Sequence, residues 1–388
     1  MKLAVIGLGQ CGGQIADEFA RMQMRSRGLR GIDVITGVMA VDSDTAGLSG
    51  LSSIKTDAAH RLLIGSAQTR GSGTSRTNEF GAELMHYEEL SILIAVRRNL
   101  YLNDADAVLV VAGAAGGTGS GGLSVLVRAI KEHIIDKPVY ALVVLPFDYE
   151  ENSGINAIFN TSACIKSIVA VADAVIMADN QCFAGAAESL RESLRKINRV
   201  VAAPFFNLLC ASEGKKTYSF FPLSAADVMF ALDGVTVISC GKTVVSASAI
   251  KNKTGAFKRC DLRAENGIYA MDTALYEAPF ACKPSDAHKA LFLMSAESKE
   301  LSVDLMQALE DHMMRLAPNA QIRGRDYACE KNRIEMTVIL SNLKPQKRMS
   351  YYHDRALRIA NEHEKRREDR PDHAMLTEEF GKDIPTLL

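Results

Sequence analysis

The sequence predicts an α/β protein: a Rossmann-like, mostly parallel sheet, then a long central helix, then a smaller α+β domain. Three observations lead there. Short apolar runs alternate with helical stretches through the first half of the chain, the pattern of a parallel sheet covered on both faces. Two glycine-rich loops each follow an apolar strand and open a helix. After about Glu188 the alternation gives way to a long amphipathic helix and a second set of strands.

Taken in order, strands are expected at Lys2–Ile6, Val34–Val41, Arg61–Ile64, Ala107–Val111, Val139–Leu145 and Asp173–Ala178. Helices are expected among them at Gly12–Arg27, Glu83–Asn99 and Ser120–His133. Leu190, Leu194, Ile197 and Val201 repeat at helical spacing, so a helix should run from Glu188 to Ala202, with Pro204 ending or kinking it. A loop with Gly214-Lys215-Lys216 follows, and Ser224 reads as the N-cap of a short helix. Further strands are expected near Val235–Ser239, Ala290–Ser295 and Arg333–Leu340, with an amphipathic helix at Val303–Leu316. The domain boundaries expected from this reading are 1–187, 188–210, 211–343 and a charged tail, 344–388. The mixed charges of Asp354–Arg370 suit a solvated helix or a flexible tail.

Composition narrows the class. The 388 residues are 47% hydrophobic and 23% charged, ordinary for a globular chain longer than one typical domain. With 45 Lys and Arg against 46 Asp and Glu, the net charge is −1. That balance supplies no basic field for direct nucleic-acid binding. No apolar run reaches transmembrane length, and the first strand begins at the N-terminus without room for a signal peptide. A cytoplasmic protein is expected. The eight cysteines include no C-x-x-C pair, so neither a zinc ribbon nor a thioredoxin-type site has support. Most are flanked by apolar residues and are expected to be buried and reduced, whereas Cys11 sits in a glycine loop.

The loops carry the chemistry. The first runs Gly7-Leu8-Gly9-Gln10-Cys11-Gly12-Gly13-Gln14, and the second spans Gly113 to Gly122. Glycines let backbone N–H groups approach an anion, and a helix N-terminus adds favourable partial charge. Alone, the first loop also satisfies G-x-G-x-x-G, the fingerprint of an NAD-dependent oxidoreductase, with Asp42 as the ribose acid. That alternative leaves the second loop without a purpose. Two such loops on one sheet would embrace a polyphosphate from both sides. Neither ends in Gly-Lys-Ser/Thr, so the Walker-type loop is excluded.

Gly116-Gly117-Thr118-Gly119-Ser120-Gly121 resembles the signature loop of the tubulin/FtsZ superfamily, and Gly9–Gln14 is similar to tubulin's first phosphate loop. The resemblance runs from residue 1 to about 343, and looks closest to the FtsZ-like and CetZ-like branch. It implies GTP or GDP bound between the two loops, with Mg2+. It further implies that Asp42 and Asp44 lie in the loop after strand two, and that Gly71–Gly81 senses the γ-phosphate. By the same resemblance Glu150 holds the ribose, while Asn180 and Asn198 read the guanine edge. A carboxylate can accept two ribose hydroxyls, and an amide can both donate and accept along a purine edge.

The resemblance also implies head-to-tail self-assembly into filaments, with hydrolysis completed by the neighbouring subunit. The loop resembling the trans-acting one is Leu223-Ser224-Ala225-Ala226-Asp227-Val228. FtsZ-type proteins carry acids at the positions of both Ser224 and Asp227. Asp227 is therefore the expected catalytic group and hydrolysis is expected to be slow, since a neutral hydroxyl polarises water weakly. A filament or scaffold with little or no hydrolysis is the second reading. Arg76 stands where FtsZ has small residues and an asparagine, and could meet phosphate or solvent. Glu379–Leu388, with Ile384-Pro385, resembles the terminal peptide with which FtsZ grips membrane adaptors.

Overall fold

The computed structural model describes residues 1–134, 136–184, 190–214, 219–244, 256–329 and 333–368. The chain divides into two units. One comprises Leu3–Arg21, Ile35–Ala187 and Pro345–Leu388; the other comprises Met1–Lys2, Met22–Val34 and Glu188–Lys344.

The first unit is built on β1 (Leu3–Leu8), β2 (Ile35–Asp42), β3 (Arg61–Leu63), β4 (Ala107–Gly113), β5 (Val139–Leu145) and β6 (Ala174–Asp179). These strands lie in the order β3-β2-β1-β4-β5-β6, and each described neighbour pair is parallel. β1 and β5 are buried along their whole length, and β6 likewise. Their near-continuous apolar runs are what a sheet covered on both faces requires. The order reverses at β1, which pairs with β2 on one side and β4 on the other. In open α/β sheets, ligands bind in the crevice beyond the strand ends at such a switch point.

Helices follow most strands: α1 (Gly9–Arg30), α2 (Thr45–Ser49), α3 (Ser66–Thr69), α4 (Asn78–Tyr87), α5 (Glu89–Asn99), α6 (Thr118–His133), α7 (Asp148–Asn152) and α8 (Ile155–Val171). The run expected as one helix over Glu83–Asn99 is two, divided by a turn at Glu88. Met85, Ile92 and Val96 keep the apolar phase across the break, so the pattern reads as continuous. The helix α8 escaped the sequence reading.

In the second unit, α9 (Leu190–Glu213) passes through Pro204 rather than ending there. Pro204 cannot donate to the carbonyl four residues earlier, at Val200, and Val200 is on the exposed side where water can serve it. Beyond the proline, Phe205, Phe206, Leu208 and Leu209 are all buried. Their burial, at about 1.5–3 kcal/mol per side chain, offsets the lost bond. The expected start at Glu188, the Lys215–Lys216 loop, the side chain of Cys260 and the terminal peptide lie outside the described residues.

Next come α10 (Ala225–Ala231), β7 (Gly234–Val244), α11 (Ala256–Tyr276), β8 (Lys289–Ala296), α12 (Val303–Leu316), β9 (Gln321–Ala328) and β10 (Arg333–Ser341). The strand order is β7-β10-β8-β9, with only β8 and β9 parallel. β9 was missed because it is a half-exposed edge, Gln321-Ile322-Arg323-Gly324-Arg325, with no apolar run.

After Lys344 the chain belongs to the first unit again, as α13 (Lys347–Glu368). It packs on α8 and buries Tyr352 and Ala356, so this part of the expected charged tail is a docked helix. The cysteines also differ from expectation. Among those described, only Cys164 and Cys210 are buried, and Cys182 is exposed. Apolar sequence neighbours do not fix which way a side chain points.

Candidate functional site

Both glycine loops leave the carboxyl ends of β1 and β4, at the switch point, and they touch. Gly9 begins α1 with φ +64°, and a Cβ placed there would lie 3.1 Å from the backbone nitrogen of Gly119. At Gly12 a Cβ would overlap the carbonyl oxygen of Val111. Gly12 therefore serves the packing of α1 on β4, whereas Gly9 lets the loops approach each other. Gly13 is buried, Gln14 is half-buried and Gln10 is exposed. Gly117 precedes α6 and offers no side-chain cap, and neither α1 nor α6 has an acid in its first turn. Two helix N-termini, neither with an acid in its first turn and the second without a side-chain cap, thus converge, which favours an anion.

Desolvation of the half-buried Cys11 thiol pushes it up to about 12, and the carboxylate of Glu150 adds to the shift. Cys11 is therefore a neutral thiol at the crevice, within electrostatic reach of Glu150.

Side chains from other elements hold the second loop. Thr118 Oγ1 lies 2.6 Å from Ser43 Oγ. Asn160 on α8, itself buried, donates from Nδ2 to the carbonyls of Ala115 at 3.1 Å, Gly116 at 3.0 Å and Arg76 at 2.9 Å. The Ser120 hydroxyl donates to the Gly116 carbonyl. Gly116 itself faces open space. Neither Ser43 nor Asn160 was singled out from sequence, although a lone amide on the apolar face of α8 is the kind of signal that could have found Asn160.

Asp42 is buried at the end of β2 and accepts from the Ser43 amide at 2.8 Å and the Asp44 amide at 3.3 Å. Burial pushes its carboxyl up to about 6, against these hydrogen bonds, and Asp44 pushes the same way. Asp44 caps α2 by accepting from the Ala46 amide at 2.8 Å. The loop beyond bends through left-handed backbone at Gly71, Gly73, Ser75 and Arg76. For Ser75 and Arg76 that conformation costs on the order of 1 kcal/mol each. The Arg76 guanidinium reaches Ser153 Oγ at 3.3 Å.

Glu150, in the first turn of α7, accepts from the Phe147 amide at 3.0 Å. Asn180 is half-exposed, in a 3-10 turn capped by Asp179. The two segments are joined, because the Asp148 amide donates to Gln181 Oε1 at 3.1 Å. Arg348 of α13 spans the same pair, bonding Asp148, Glu151 and Asp179. Nothing in the sequence pointed to Arg348.

The remaining two expected residues belong to the other unit. Asn198 is buried midway along α9. Ser224 and Asp227 form the capping box of α10, as the N-cap expectation required. Asp227 Oδ1 also takes Arg323 Nη1 at 2.9 Å and Arg325 Nη2 at 2.6 Å, and Oδ2 takes Arg325 Nε at 2.9 Å. Burial pushes this carboxyl up, but the bonds from Arg325 and Ser224 outweigh it and hold the group well below the ordinary carboxylate range.

Residues 2–188 match the Tubulin/FtsZ family, GTPase domain, and residues 187–358 match the Tubulin-like CetZ, C-terminal domain. Together the two matches span residues 2–358, and the chain belongs to the tubulin/FtsZ superfamily. The second match extends past residue 343, so the CetZ likeness includes the first half of α13. Tubulin-like protein CetZ3 of Haloferax volcanii is 28% identical over 356 residues, 88% of each chain. Two solved CetZ structures from the same organism share the fold at 25% identity. The GTPγS-bound protofilament of CetZ2 has a TM-score of 0.80 and covers 94% of this chain and 100% of its own. The GDP-bound monomer of CetZ1 has a TM-score of 0.78, covering 92% and 99%. Membership of this superfamily sets aside the NAD-dependent oxidoreductase alternative.

Proposed function

We propose that this CetZ-type chain binds GTP and GDP, assembles head-to-tail into filaments, and hydrolyses GTP slowly where subunits meet. The observation that carries the reading is the contact between two glycine loops at converging helix N-termini that carry no first-turn acid. That crevice suits a polyphosphate rather than a single anion. Gly9 to Gln14 and Gly116 to Ser120 would cradle the phosphates. Glu150 would take the ribose, and Asn180 with Asn198 the base. Head-to-tail contacts between identical subunits give open filaments when their rotation does not close, and the similar CetZ2 structure is a GTPγS-bound protofilament.

Asp42 and Asp44 fit a divalent cation carried on the nucleotide. Asp42 is a buried carboxylate whose raised pKa reflects burial with no compensating positive group, and Mg2+ is commonly held by one or two carboxylates plus phosphate oxygens. Such an ion would neutralise charge on the triphosphate. Among the described residues no group of three or more His, Cys, Asp or Glu could hold a metal alone.

Asp227 is the residue proposed to act on the neighbour's nucleotide. Two arginines already hold its carboxylate, so it is a poor proton acceptor and its role is to orient water. The same ion pair favours the second reading, a filament with little or no hydrolysis. No helix among the described residues is long and apolar enough to cross a membrane. The terminal peptide Glu379–Leu388 would be the grip for a membrane adaptor.

Phosphate release from GTP, measured per subunit over a wide range of protein concentration, tests the proposal. A steep rise above a threshold supports hydrolysis completed at the contact. A constant rate per subunit would place the whole site within one chain. No release, with GTP still bound, would leave the non-hydrolysing filament.

A further inference from the structure

The guanidinium of Arg348 is shared among three carboxylates from two segments. It reaches Asp148 at 3.2 Å and Glu151 at 2.6 Å on α7, and Asp179 at 3.0 Å at the end of β6. Glu151 and Asp179 expose only 2% and 8% of their side chains. Glu151 directly follows Glu150, the proposed ribose ligand, and Asp179 directly precedes Asn180, the proposed base reader. The rest of the grip also comes from α13, because Tyr351, Tyr352 and Arg355 all donate to Glu151.

The charges explain why such a grip is needed. Two nearly buried carboxylates repel each other and cannot both ionise cheaply without a shared cation. Burial pushes Asp179 above its ordinary value and Glu151 adds to this, while Arg348 pulls it back. Without Arg348, the segments carrying Glu150 and Asn180 would be driven apart by the acids beside them. A planar guanidinium can hold several carboxylate oxygens in fixed geometry, as an ammonium cannot.

We propose that Arg348 is a positioning residue through which α13 holds the ribose-side and base-side segments together, so that its ion pairs, rather than the docking of this helix in general, set how long a nucleotide stays bound. The inference rests on the nucleotide pocket proposed above. Arg348 is paired with Asp148, Glu151 and Asp179, so it acts through the residues next to the proposed nucleotide ligands. A partner that lifted α13 would, by the same linkage, speed nucleotide release.

The test is dissociation of a fluorescent GDP analogue from the full chain, chased with excess unlabelled GTP. Arg348→Met keeps the aliphatic stem and removes the charge. Asp179→Asn keeps an N-cap acceptor for the turn but gives up the ion pair, leaving the α13–Glu151 contacts in place. Both should release the analogue about tenfold faster, the scale of one lost charge-assisted hydrogen bond, with association rates unchanged. Arg355→Ala loosens α13 without touching Asp179 and should stay within about twofold of wild type.

Release at the wild-type rate from both Arg348→Met and Asp179→Asn would overturn the inference and leave the pocket standing. Equal acceleration by Arg355→Ala would overturn it too, by reducing the effect to helix docking in general. Failure of the wild-type chain to bind the analogue at all would overturn the pocket, and this inference with it.

Discussion

Asp227 and Arg325 meet as a two-pronged ion pair, with Arg325 Nε 2.9 Å from Oδ2 and Nη2 2.6 Å from Oδ1. Arg323 adds a third bond to Oδ1, and its guanidinium also lies over the Phe230 ring at 3.7 Å. The acid expected to act on a neighbouring subunit is thus neutralised within its own chain. Its geometry is fixed while its basicity is reduced, which suits holding a water better than deprotonating one.

If that pairing limits turnover, weakening it should raise the rate. Arg325→Leu leaves Asp227 with Arg323 and the Ser224 hydroxyl, and should increase assembly-dependent phosphate release several-fold. Ser224→Asp supplies a second carboxylate while keeping a residue that caps helices well, and should raise release about tenfold or more. Phosphate release above the assembly threshold is the measurement. If neither variant gains, Asp227 is a structural cap and hydrolysis is limited elsewhere.

Glycines in the two loops should separate by purpose. Gly12→Ala drives a methyl group into the Val111 carbonyl and should destabilise the fold by about 1–3 kcal/mol, the usual cost of overpacking. Gly116→Ala faces open space and should change stability by less than about 0.5 kcal/mol. A ligand whose phosphates approach that backbone closely would nevertheless be displaced, and GDP affinity should fall at least tenfold. Urea midpoints and GDP titrations on both variants read this directly. Wild-type affinity in Gly116→Ala would remove Gly116 from the pocket.

The parallel sheet was legible because each buried strand is a continuous apolar run followed by a loop of distinctive composition, as at Ala107–Gly122. Glycine loops could be read as candidate sites because so many glycines in so few residues mark close backbone approach. The supporting shell could not be read this way. Asn160 meets the second loop across some 45 residues of chain, and Arg348 meets Asp179 across 169. Such contacts depend on three-dimensional closure, for which a single sequence has no local signal. β9 escaped for the opposite reason: an edge strand needs no apolar face, and its arginines look like any solvated charges until Asp227 is seen between them.

Asn160 should prove to be the brace of the second loop. One buried amide nitrogen serves three carbonyls, and Asn160→Ala leaves those acceptors without it. The expected cost is about 2–3 kcal/mol, the penalty for stranding buried polar groups. Because Gly116 and Arg76 are both released, amide hydrogen exchange should quicken at 71–77 and 113–120 more than elsewhere. A uniform rise across the first unit would mean that Asn160 supports the core in general and not the loop.

Asp42 gives the chain a pH signature. Its carboxyl is pushed up from the ordinary 3.8 to about 6, chiefly by burial. The folded chain therefore keeps this proton over a range in which the unfolded chain has lost it. Where the native state binds more protons, stability falls as pH rises. The loss should run from about pH 4 to about pH 6 and reach at most about 3 kcal/mol, then remain in full at neutral pH. Asp42→Asn carries no charge to desolvate. In the absence of nucleotide it should be more stable than wild type at pH 7, with the difference vanishing near pH 4. Urea midpoints across that range provide the check. Saturating GTP with Mg2+ should reverse the order, since an ionised Asp42 is then matched by a cation and the asparagine is not. Parallel pH profiles for the two proteins without ligand would show that Asp42 is not desolvated. An unchanged order with ligand would separate Asp42 from the cation.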